Sequence, residues 1–223
     1  MMPSVKILAI ADVTHNVRRY TLERPAGYAF KPGQATDVSL DEEGWRDKKH
    51  PFTFTALADA RTLEFTIKSY FSTGGDGVTE RLYGYKPGQS LLIRDVWGTI
   101  TYKGPGTFIA GGAGVTPFIA ILRDLHHRRK LDGHTLIVSN RTEADIILRD
   151  EFEAMAGLEV IWTVTDDPQS GLLHDRIDAA FLKAHVTNFA QNFYLCGPDP
   201  MVEDLRETLT ALGASVETIT WEK

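Results

Sequence analysis

Hydrophobic and polar residues follow two different patterns along the chain. Up to about residue 103 they alternate with a period of two, as in residues 17–22, 36–40 and 63–68. Such alternation, in segments rich in β-branched and aromatic residues, predicts β-strands that bury one face. Because these strands are short and often separated by turn residues, the first half is predicted to be an antiparallel β barrel.

The tetrapeptide Lys-Pro-Gly-Gln occurs twice in this half, at residues 31–34 and 86–89, each time before a strand-like segment. Proline fixes φ at the second position of a turn, and glycine supplies the positive φ that a type II turn requires at the third. The repeat therefore predicts two similar turns at two places in the barrel.

Beyond residue 104, strand-like segments alternate with amphipathic ones. Strands are predicted at residues 107–110, 135–139, 160–164, 193–196 and 215–221, and helices at residues 118–130, 144–155, 178–185 and 199–212. Alternating strands and helices predict a doubly wound parallel sheet with helices on both faces. We therefore expect two domains, a β barrel over residues 1–103 and an α/β domain over residues 104–223.

Composition narrows the range of functions. The chain has 223 residues, a net charge of −6 and one cysteine, Cys196. A single cysteine excludes an intrachain disulfide framework, a four-cysteine zinc site and an iron–sulfur cluster bound by this chain alone, and we expect no metal site. The negative charge argues against a nucleic-acid-binding protein. No signal peptide or membrane span is indicated, so we expect a cytoplasmic protein without membrane insertion.

Charge is distributed unevenly between the two halves. Residues 1–103 contain 14 Lys and Arg against 12 Asp and Glu, whereas residues 104–223 contain 10 against 18. One interpretation is that the barrel half meets an acidic partner. The other is an ordinary solvated surface.

Two glycine-containing segments follow predicted parallel strands. Residues 111–117, Gly-Gly-Ala-Gly-Val-Thr-Pro, connect a strand to a helix, and Cys196-Gly197-Pro198 ends another strand. Glycines let a backbone approach a phosphate, and a helix N-terminus presents unpaired N–H groups to its negative charge. Both segments are expected at the same edge of the sheet, where such domains bind ligands. The alternative for the first segment is a strand-to-helix turn without a ligand.

Two segments of the barrel half have unusual composition. His50-Pro51-Phe52-Thr53 alternates aromatic and hydroxyl residues, and residues 74–82 are glycine-rich before a short helix. The first is either part of a site or a half-buried strand. The second is either a phosphate-binding loop or a flexible loop in which Thr79 caps the helix.

Taken in order, these segments resemble the motifs of the ferredoxin–NADP reductase family. The family's motifs are Arg-x-Tyr-Ser on a barrel strand, a glycine loop ending in Ser or Thr, Gly-Gly-x-Gly-x-Thr-Pro, and Cys-Gly-Pro. The resemblance covers nearly the whole chain and is greatest to stand-alone flavin reductases such as flavodoxin reductases, while residues 139–148 are similar to cytochrome b5 reductases. It implies a six-stranded antiparallel flavin-binding barrel followed by a nicotinamide nucleotide-binding domain.

The resemblance also implies roles for particular residues. Thr53 would hydrogen-bond flavin N5, Cys196 would lie near the nicotinamide carbon that gives the hydride, and Glu222 would shape the nicotinamide pocket. The implied flavin-binding residues are His50, Pro51, Phe52, Thr53, Ile67, Lys68, Tyr70, Gly77, Val78 and Thr79. The implied nicotinamide nucleotide-binding residues are Gly112, Ala113, Gly114, Thr116, Asn140, Arg141, Gly197, Pro198 and Met201.

By the same resemblance, NADH or NADPH gives a hydride to FAD, and single electrons then pass to a ferredoxin, a flavodoxin or a heme protein. FAD is preferred over FMN because Tyr70 and Phe71 offer rings that an adenine can stack on. With only Cys196, the chain needs a separate protein as acceptor, and we expect a monomer. Arg141 suggests NADPH, whereas residues 140–148 resemble NADH-using relatives, so the nucleotide stays open.

Two other functions also remain open. One is a non-catalytic or regulatory flavin-binding subunit of a larger complex. The other is a reductase of free flavin or quinones. The first is motivated by departures from the family pattern: Phe52 lacks the tyrosine hydroxyl, and the chain has Glu222 but no aromatic residue after it. The flavin face is then open unless Trp221 covers it.

The third departure generates a testable prediction. His50 stands where the family has arginine, and an imidazole, unlike a guanidinium, titrates near neutrality. We expect weaker, pH-dependent flavin retention unless Lys48 or Lys49 compensates. The measurement is flavin affinity between about pH 5.5 and 8.5. A flat profile contradicts the expectation.

Overall fold

Six antiparallel strands form the first half of the protein. The computed structural model describes residues 3–71, 77–98 and 100–221, so Glu222 and residues 74–76 of the glycine-rich loop lie outside the described residues. The strands are β1 Ser4–Thr14, β2 Val17–Glu23, β3 Gln34–Leu40, β4 His50–Thr53, β5 Thr62–Lys68 and β6 Ser90–Gly98, with helix α1 at Val78–Tyr83. They lie in the order β4-β3-β6-β1-β2-β5, which confirms the predicted six-stranded antiparallel sheet.

The sheet closes where the chain leaves β4. Phe54 forms an antiparallel bridge with Phe65 of β5. The Phe54 amide donates to the Gln34 carbonyl (3.0 Å), and the Thr55 amide donates to the Glu64 carbonyl (2.9 Å). The rings of Phe54 and Phe65 are fully buried, with centroids 5.1 Å apart. Closure therefore joins the two edge strands around an aromatic core.

The second half is a five-stranded parallel sheet. Its strands are β7 Gly106–Gly111, β8 His134–Asn140, β9 Leu158–Val164, β10 Asn192–Cys196 and β11 Ile219–Trp221, and its helices are α2 Thr116–His127, α3 Arg149–Glu153, α4 Ala179–His185 and α5 Asp199–Ala211. The order β11-β10-β7-β8-β9 confirms the doubly wound prediction. The order of the strands reverses between β7 and β10, which makes this pair the switch point where such sheets bind ligands.

Three predicted elements are shorter than the sequence indicates. The helix predicted at 144–155 is only a 3₁₀ turn at Glu143–Asp145 followed by α3, because Leu148 between them has φ +55°. Helix α2 ends at His127, just before Arg129, which also has φ +55°. The strand predicted at 215–221 begins as a 3₁₀ turn and becomes β11 only at Ile219. Within the described part of the chain, no helix has the length and apolarity needed to cross a bilayer.

The two halves share one of the apolar clusters. Val17 of β2 and Ile100, after β6, are buried in the same cluster as Phe118, Ile121 and Leu125 of α2. Burial of each such side chain is worth about 1.5–3 kcal/mol. The barrel and the sheet domain are therefore packed together rather than merely connected.

The connection between the halves is held by a phenol. Tyr194 of β10 accepts hydrogen bonds from the amides of Lys103 (2.9 Å) and Gly104 (3.0 Å), and its hydroxyl donates to the Gly104 carbonyl (2.8 Å). The domain boundary predicted at residues 103 and 104 falls in this segment, between β6 and β7, and stays a prediction.

The two Lys-Pro-Gly-Gln turns have the same conformation in different surroundings. Gly33 and Gly88 have φ +87° and +97°. In each turn the lysine amide donates to the glutamine side-chain Oε1, at 2.7 Å in the first and 2.8 Å in the second. A Cβ on Gly33 would overlap the Ile100 carbonyl oxygen, whereas a Cβ on Gly88 meets nothing within 4 Å. The predicted repeat is confirmed, but only the first turn packs against the domain connection.

This contrast predicts different costs for the same substitution. Gly88→Ala carries only the penalty of a left-handed backbone at a residue with a Cβ, about 1–2 kcal/mol. Gly33→Ala carries that penalty and the overlap with Ile100, so we expect its free energy of unfolding to fall by at least about 1 kcal/mol more. Chemical denaturation of both variants measures the difference. Equal losses of stability would show that the Ile100 contact has no energetic importance.

Candidate functional site

A cleft of about 610 Å³ opens between the barrel and the sheet domain. Its barrel wall consists of His50, Pro51, Phe52 and Thr53 of β4, Thr66 of β5, Tyr70, and Trp97 of β6. Its other wall consists of Gly111, Ala113, Gly114, Thr116, Cys196, Gly197, Pro198 and Asp199. Three of the segments singled out in the sequence therefore meet at one place.

Strand β4 supplies the barrel wall with a hydroxyl and an aromatic pair. Thr53 is 9% exposed. The half-buried Phe52 ring stacks on the exposed His50 ring, with centroids 4.9 Å apart and planes 18° apart. Flat rings beside a hydroxyl suit a planar heteroaromatic ligand that needs one hydrogen bond at its edge.

The opposite wall is built at the switch point of the parallel sheet. Ala110 of β7 lies in register with Cys196 of β10, so the loops after both strands start side by side. A Cβ on Gly114 would overlap the Cys196 carbonyl oxygen, and a Cβ on Gly111 would lie 2.6 Å from the Met201 sulfur. These two glycines are therefore required by packing between the loops.

Gly112 differs from its neighbours. It has φ +52°, and a Cβ placed on it meets nothing within 4 Å, so its backbone borders open space. The helix that follows begins at Thr116, whose hydroxyl donates to the Ala113 carbonyl (2.9 Å). An open glycine before a helix N-terminus is suited to binding a phosphate.

Asn140 ends β8 with an unsatisfied side chain. It is 5% exposed, and neither its amide nitrogen nor its amide oxygen has a hydrogen-bond partner among the described residues. A buried unpaired amide costs about 1–3 kcal/mol, which a ligand can offset by bonding to it. This orphaned amide, the open Gly112 and the aromatic wall together fit a flavin and a nicotinamide nucleotide.

Arg141, next along the chain, is already paired. It donates to Asp166 at 2.8 Å, and its side chain is 79% exposed. The hydrogen bond to Asp166 and the charge of that carboxylate raise the pKa of Arg141 above its usual value. The Arg141 guanidinium, which was expected to bind a 2′-phosphate, is therefore already paired with the Asp166 carboxylate.

The other residues expected to bind a ligand lie beyond the cleft lining. Ile67 is buried in the barrel core, so only its backbone can reach a ligand. Lys68 Nζ lies 3.8 Å from Asp145 Oδ1 of the sheet domain. Helix α1 begins at Val78, directly after Gly77, and lies beside Tyr70. The Tyr70 amide is 3.5 Å from the hydroxyl oxygen of Thr79. Met201 belongs to α5 and directs its sulfur toward Gly111.

Sequence reasoning missed Trp97, Thr66 and Asp199. A period-two count from Leu91 and Ile93 places Trp97 inside the barrel, but its side chain is 38% exposed and lines the cleft. The pairing of β3 with β6 shifts register between Thr36 and Val38, and the extra residue in β6 reverses the alternation. Val96 consequently packs against the barrel core and Trp97 turns outward.

The sheet domain matches a known family. Residues 108–207 match the family model described as an oxidoreductase NAD-binding domain.

Two relatives in the curated proteins align with most of the chain. The NADH-cytochrome b5 reductase 1 of Aspergillus terreus is 28% identical over 228 residues, covering 91% of this chain and 75% of that protein. The reductase component of the propane 2-monooxygenase of Rhodococcus jostii is 28% identical over 218 residues, covering 89% of this chain but 56% of that protein. The chain thus spans little more than half of the second relative.

A solved structure has the same fold. The ferredoxin NADP+ reductase of Neisseria gonorrhoeae, crystallised with bound FAD and NADP, superposes with a TM-score of 0.85 at 23% identity. The superposition covers 99% of this chain and 98% of that one. Barrel and sheet domain are therefore arranged as in that reductase.

Proposed function

We propose that this member of the ferredoxin–NADP reductase family is an FAD-dependent NAD(P)H oxidoreductase that passes electrons to a separate acceptor protein. The family membership predicted from the motifs is supported by the matched NAD-binding domain, and the fold is that of a solved ferredoxin NADP+ reductase. One observation carries the proposal: the aromatic and hydroxyl wall of β4 faces the switch point of a nucleotide-binding sheet across a single cleft.

The residues of the cleft would do the work of binding and orientation. Bound FAD supplies the conversion between a two-electron donor and a one-electron acceptor. Phe52 and Trp97 offer flat surfaces to its ring system, and the nearly buried Thr53 offers a hydroxyl. Because the walls hold both reactants, we expect proximity and orientation to account for most of the rate enhancement.

The sheet side would bind the nicotinamide nucleotide. Gly112 and the first turn of α2 face its phosphates, and the amide of Asn140 gains the partner that it lacks. Cys196, Gly197 and Pro198 form the floor beneath the nicotinamide, where their compact backbone lets the ring approach the barrel wall.

The acceptor is proposed to be an acidic protein with its own redox centre. Residues 1–223 contain one cysteine, Cys196, which is too few to bind an iron–sulfur cluster, so the cluster of an iron–sulfur acceptor would lie outside these residues. Lys48 and Lys49 are exposed and directly precede His50, which lines the cleft. Cations beside the site where electrons leave would steer an acidic partner toward it.

Anaerobic reduction tests the proposed reaction directly. We expect excess NADH or NADPH to bleach the visible absorbance of the flavin-loaded protein, because the nicotinamide reaches the flavin across the cleft. No bleaching with either nucleotide would refute the enzymatic function and favour a non-catalytic flavin-binding subunit.

A second measurement concerns the acceptor. Fast steady turnover on free flavin or quinones, with none on ferredoxin, flavodoxin or heme protein, would favour a reductase of small acceptors. With a protein acceptor, turnover should fall as salt is added.

Asp166 favours NADH over NADPH. A 2′-phosphate placed near Arg141 would have to displace the Asp166 carboxylate at 2.8 Å and would be repelled by it. A ribose hydroxyl, by contrast, can donate a hydrogen bond to the same carboxylate. We therefore propose NADH as the preferred donor.

Removing the carboxylate should change this preference. We expect Asp166→Asn to raise kcat/KM for NADPH relative to NADH by about tenfold, since it releases Arg141 and removes a repulsive charge. Glu159→Gln is the control, because Glu159 is an exposed carboxylate on β9, the strand that precedes Asp166. An unchanged ratio in Asp166→Asn, or an equal rise in both variants, would show that Asp166 does not select the nucleotide.

A further inference from the structure

Three charged side chains meet where the domains join, outside the cleft. Arg123 of α2 donates through Nη1 to Glu64 of β5 (2.7 Å) and through Nε and Nη2 to Glu151 of α3 (2.5 and 2.8 Å). The Arg123 side chain is 16% exposed. We call Arg123, Glu64 and Glu151 the seam cluster.

The two carboxylates of the seam cluster act in different domains. Glu151 and Arg123 both belong to the sheet domain, so their fork-shaped pair lies within one domain. Glu64 belongs to the barrel, so its bond to Arg123 crosses the seam. Burial alone would lower the pKa of Arg123, but the hydrogen bonds to Glu151 and the charges of both carboxylates raise it above its usual value. The guanidinium therefore stays charged.

The cluster is bonded to the barrel wall of the cleft. Arg123 Nη1 donates to the Thr55 carbonyl (2.7 Å), and the Thr55 hydroxyl donates to Glu64 (2.8 Å). The hydroxyl of Thr66, which lines the cleft, donates to the Thr55 hydroxyl (3.3 Å). Thr55 also lies two residues beyond Thr53. The segments that carry Thr53 and Thr66, the two threonines of the barrel wall, are thus bonded to one guanidinium.

The same guanidinium is fixed to the opposite wall. Arg123 lies on α2 seven residues after Thr116, which begins the helix and lines the cleft. Seven residues are about two turns, or about 10 Å along a helix axis. Phe118, Ile119 and Leu122 of the intervening turns are fully buried, so this part of α2 is a rigid element. A shift of Arg123 therefore also moves Thr116.

We propose that Arg123 and Glu64 are positioning residues that set the distance and angle between the two walls of the cleft. The inference rests on the proposed function, in which one wall holds the flavin and the other the nicotinamide. Transfer between them needs reacting atoms about 3–3.5 Å apart, and a displacement of about 1 Å can cost about 100-fold in rate. A bond across the seam, about two helical turns from the site, controls such a displacement.

The test compares two substitutions at the same guanidinium. Glu64→Met removes the charged one of the two hydrogen bonds that Arg123 makes across the seam and leaves the one to the Thr55 carbonyl, whereas Glu151→Met removes an equal charge from the pair within one domain. The flavin-loaded variants are mixed anaerobically with NADH, and the limiting rate of flavin bleaching and the apparent nucleotide Kd are measured together with the melting temperature. We expect Glu64→Met to lower the limiting rate at least about tenfold with the Kd within about twofold, and Glu151→Met to lower it by less than about threefold.

A further variant keeps the test decisive if Glu64→Met does not fold. Arg123→Lys retains the charge but has three donors on one atom in place of the planar fork, so it cannot reproduce all four hydrogen bonds of Arg123, and we expect an intermediate loss of rate with the Kd unchanged. Equal rates in Glu64→Met and Glu151→Met, or rate losses that only follow the melting temperature, would overturn the positioning role. Failure of the unsubstituted protein to bleach would instead refute the proposed function, which keeps the two failures distinct.

Discussion

Burial of barrel side chains in the core of the sheet domain is the constraint on which the rest of the structure depends. Val17 and Ile100 lie among side chains of α2, so separating the domains would expose part of the apolar cluster on this face of the sheet. Apolar burial of about 1.5–3 kcal/mol per side chain exceeds the about 0–1 kcal/mol typical of an exposed ion pair. Apolar packing therefore supplies the stability of the seam, and the directional bonds of Arg123 fix its geometry.

The order of hydrophobic and polar residues was sufficient to predict those parts of the fold that depend on residues close together in the chain. Period-two alternation predicted the barrel because each strand has one buried face, and the alternation of strands and helices predicted a doubly wound parallel sheet. The segments after β7 and β10 were expected to meet because the carboxyl ends of parallel strands share an edge, whereas β4 was placed beside them only by the family resemblance. The cleft brings all three together. Their roles in binding remain predictions.

Where the prediction failed, the cause lies in backbone irregularity or in distance along the chain. Leu148 divides a helix because its backbone is left-handed, and a shifted register turns Trp97 toward the cleft. Neither the left-handed backbone of Leu148 nor the register shift can be recognised from the order of hydrophobic and polar residues. Arg123 and Glu64 are 59 residues apart, so nothing near either residue indicates that they form a pair. The glycines of β7 and its loop also look alike in the sequence but differ in the structure. Packing requires Gly111 and Gly114, whereas Gly112 has a positive φ and open space where a side chain would lie.

The phenol of Tyr194 has a consequence for how the protein unfolds. It bonds both amides of the connection at Lys103 and Gly104, so the segment between the domains is anchored to the central region of the sheet. Because of this anchor and the shared apolar cluster, unfolding of the sheet domain also removes contacts that stabilise the barrel. We therefore expect the barrel and the sheet domain to unfold in one transition rather than in two.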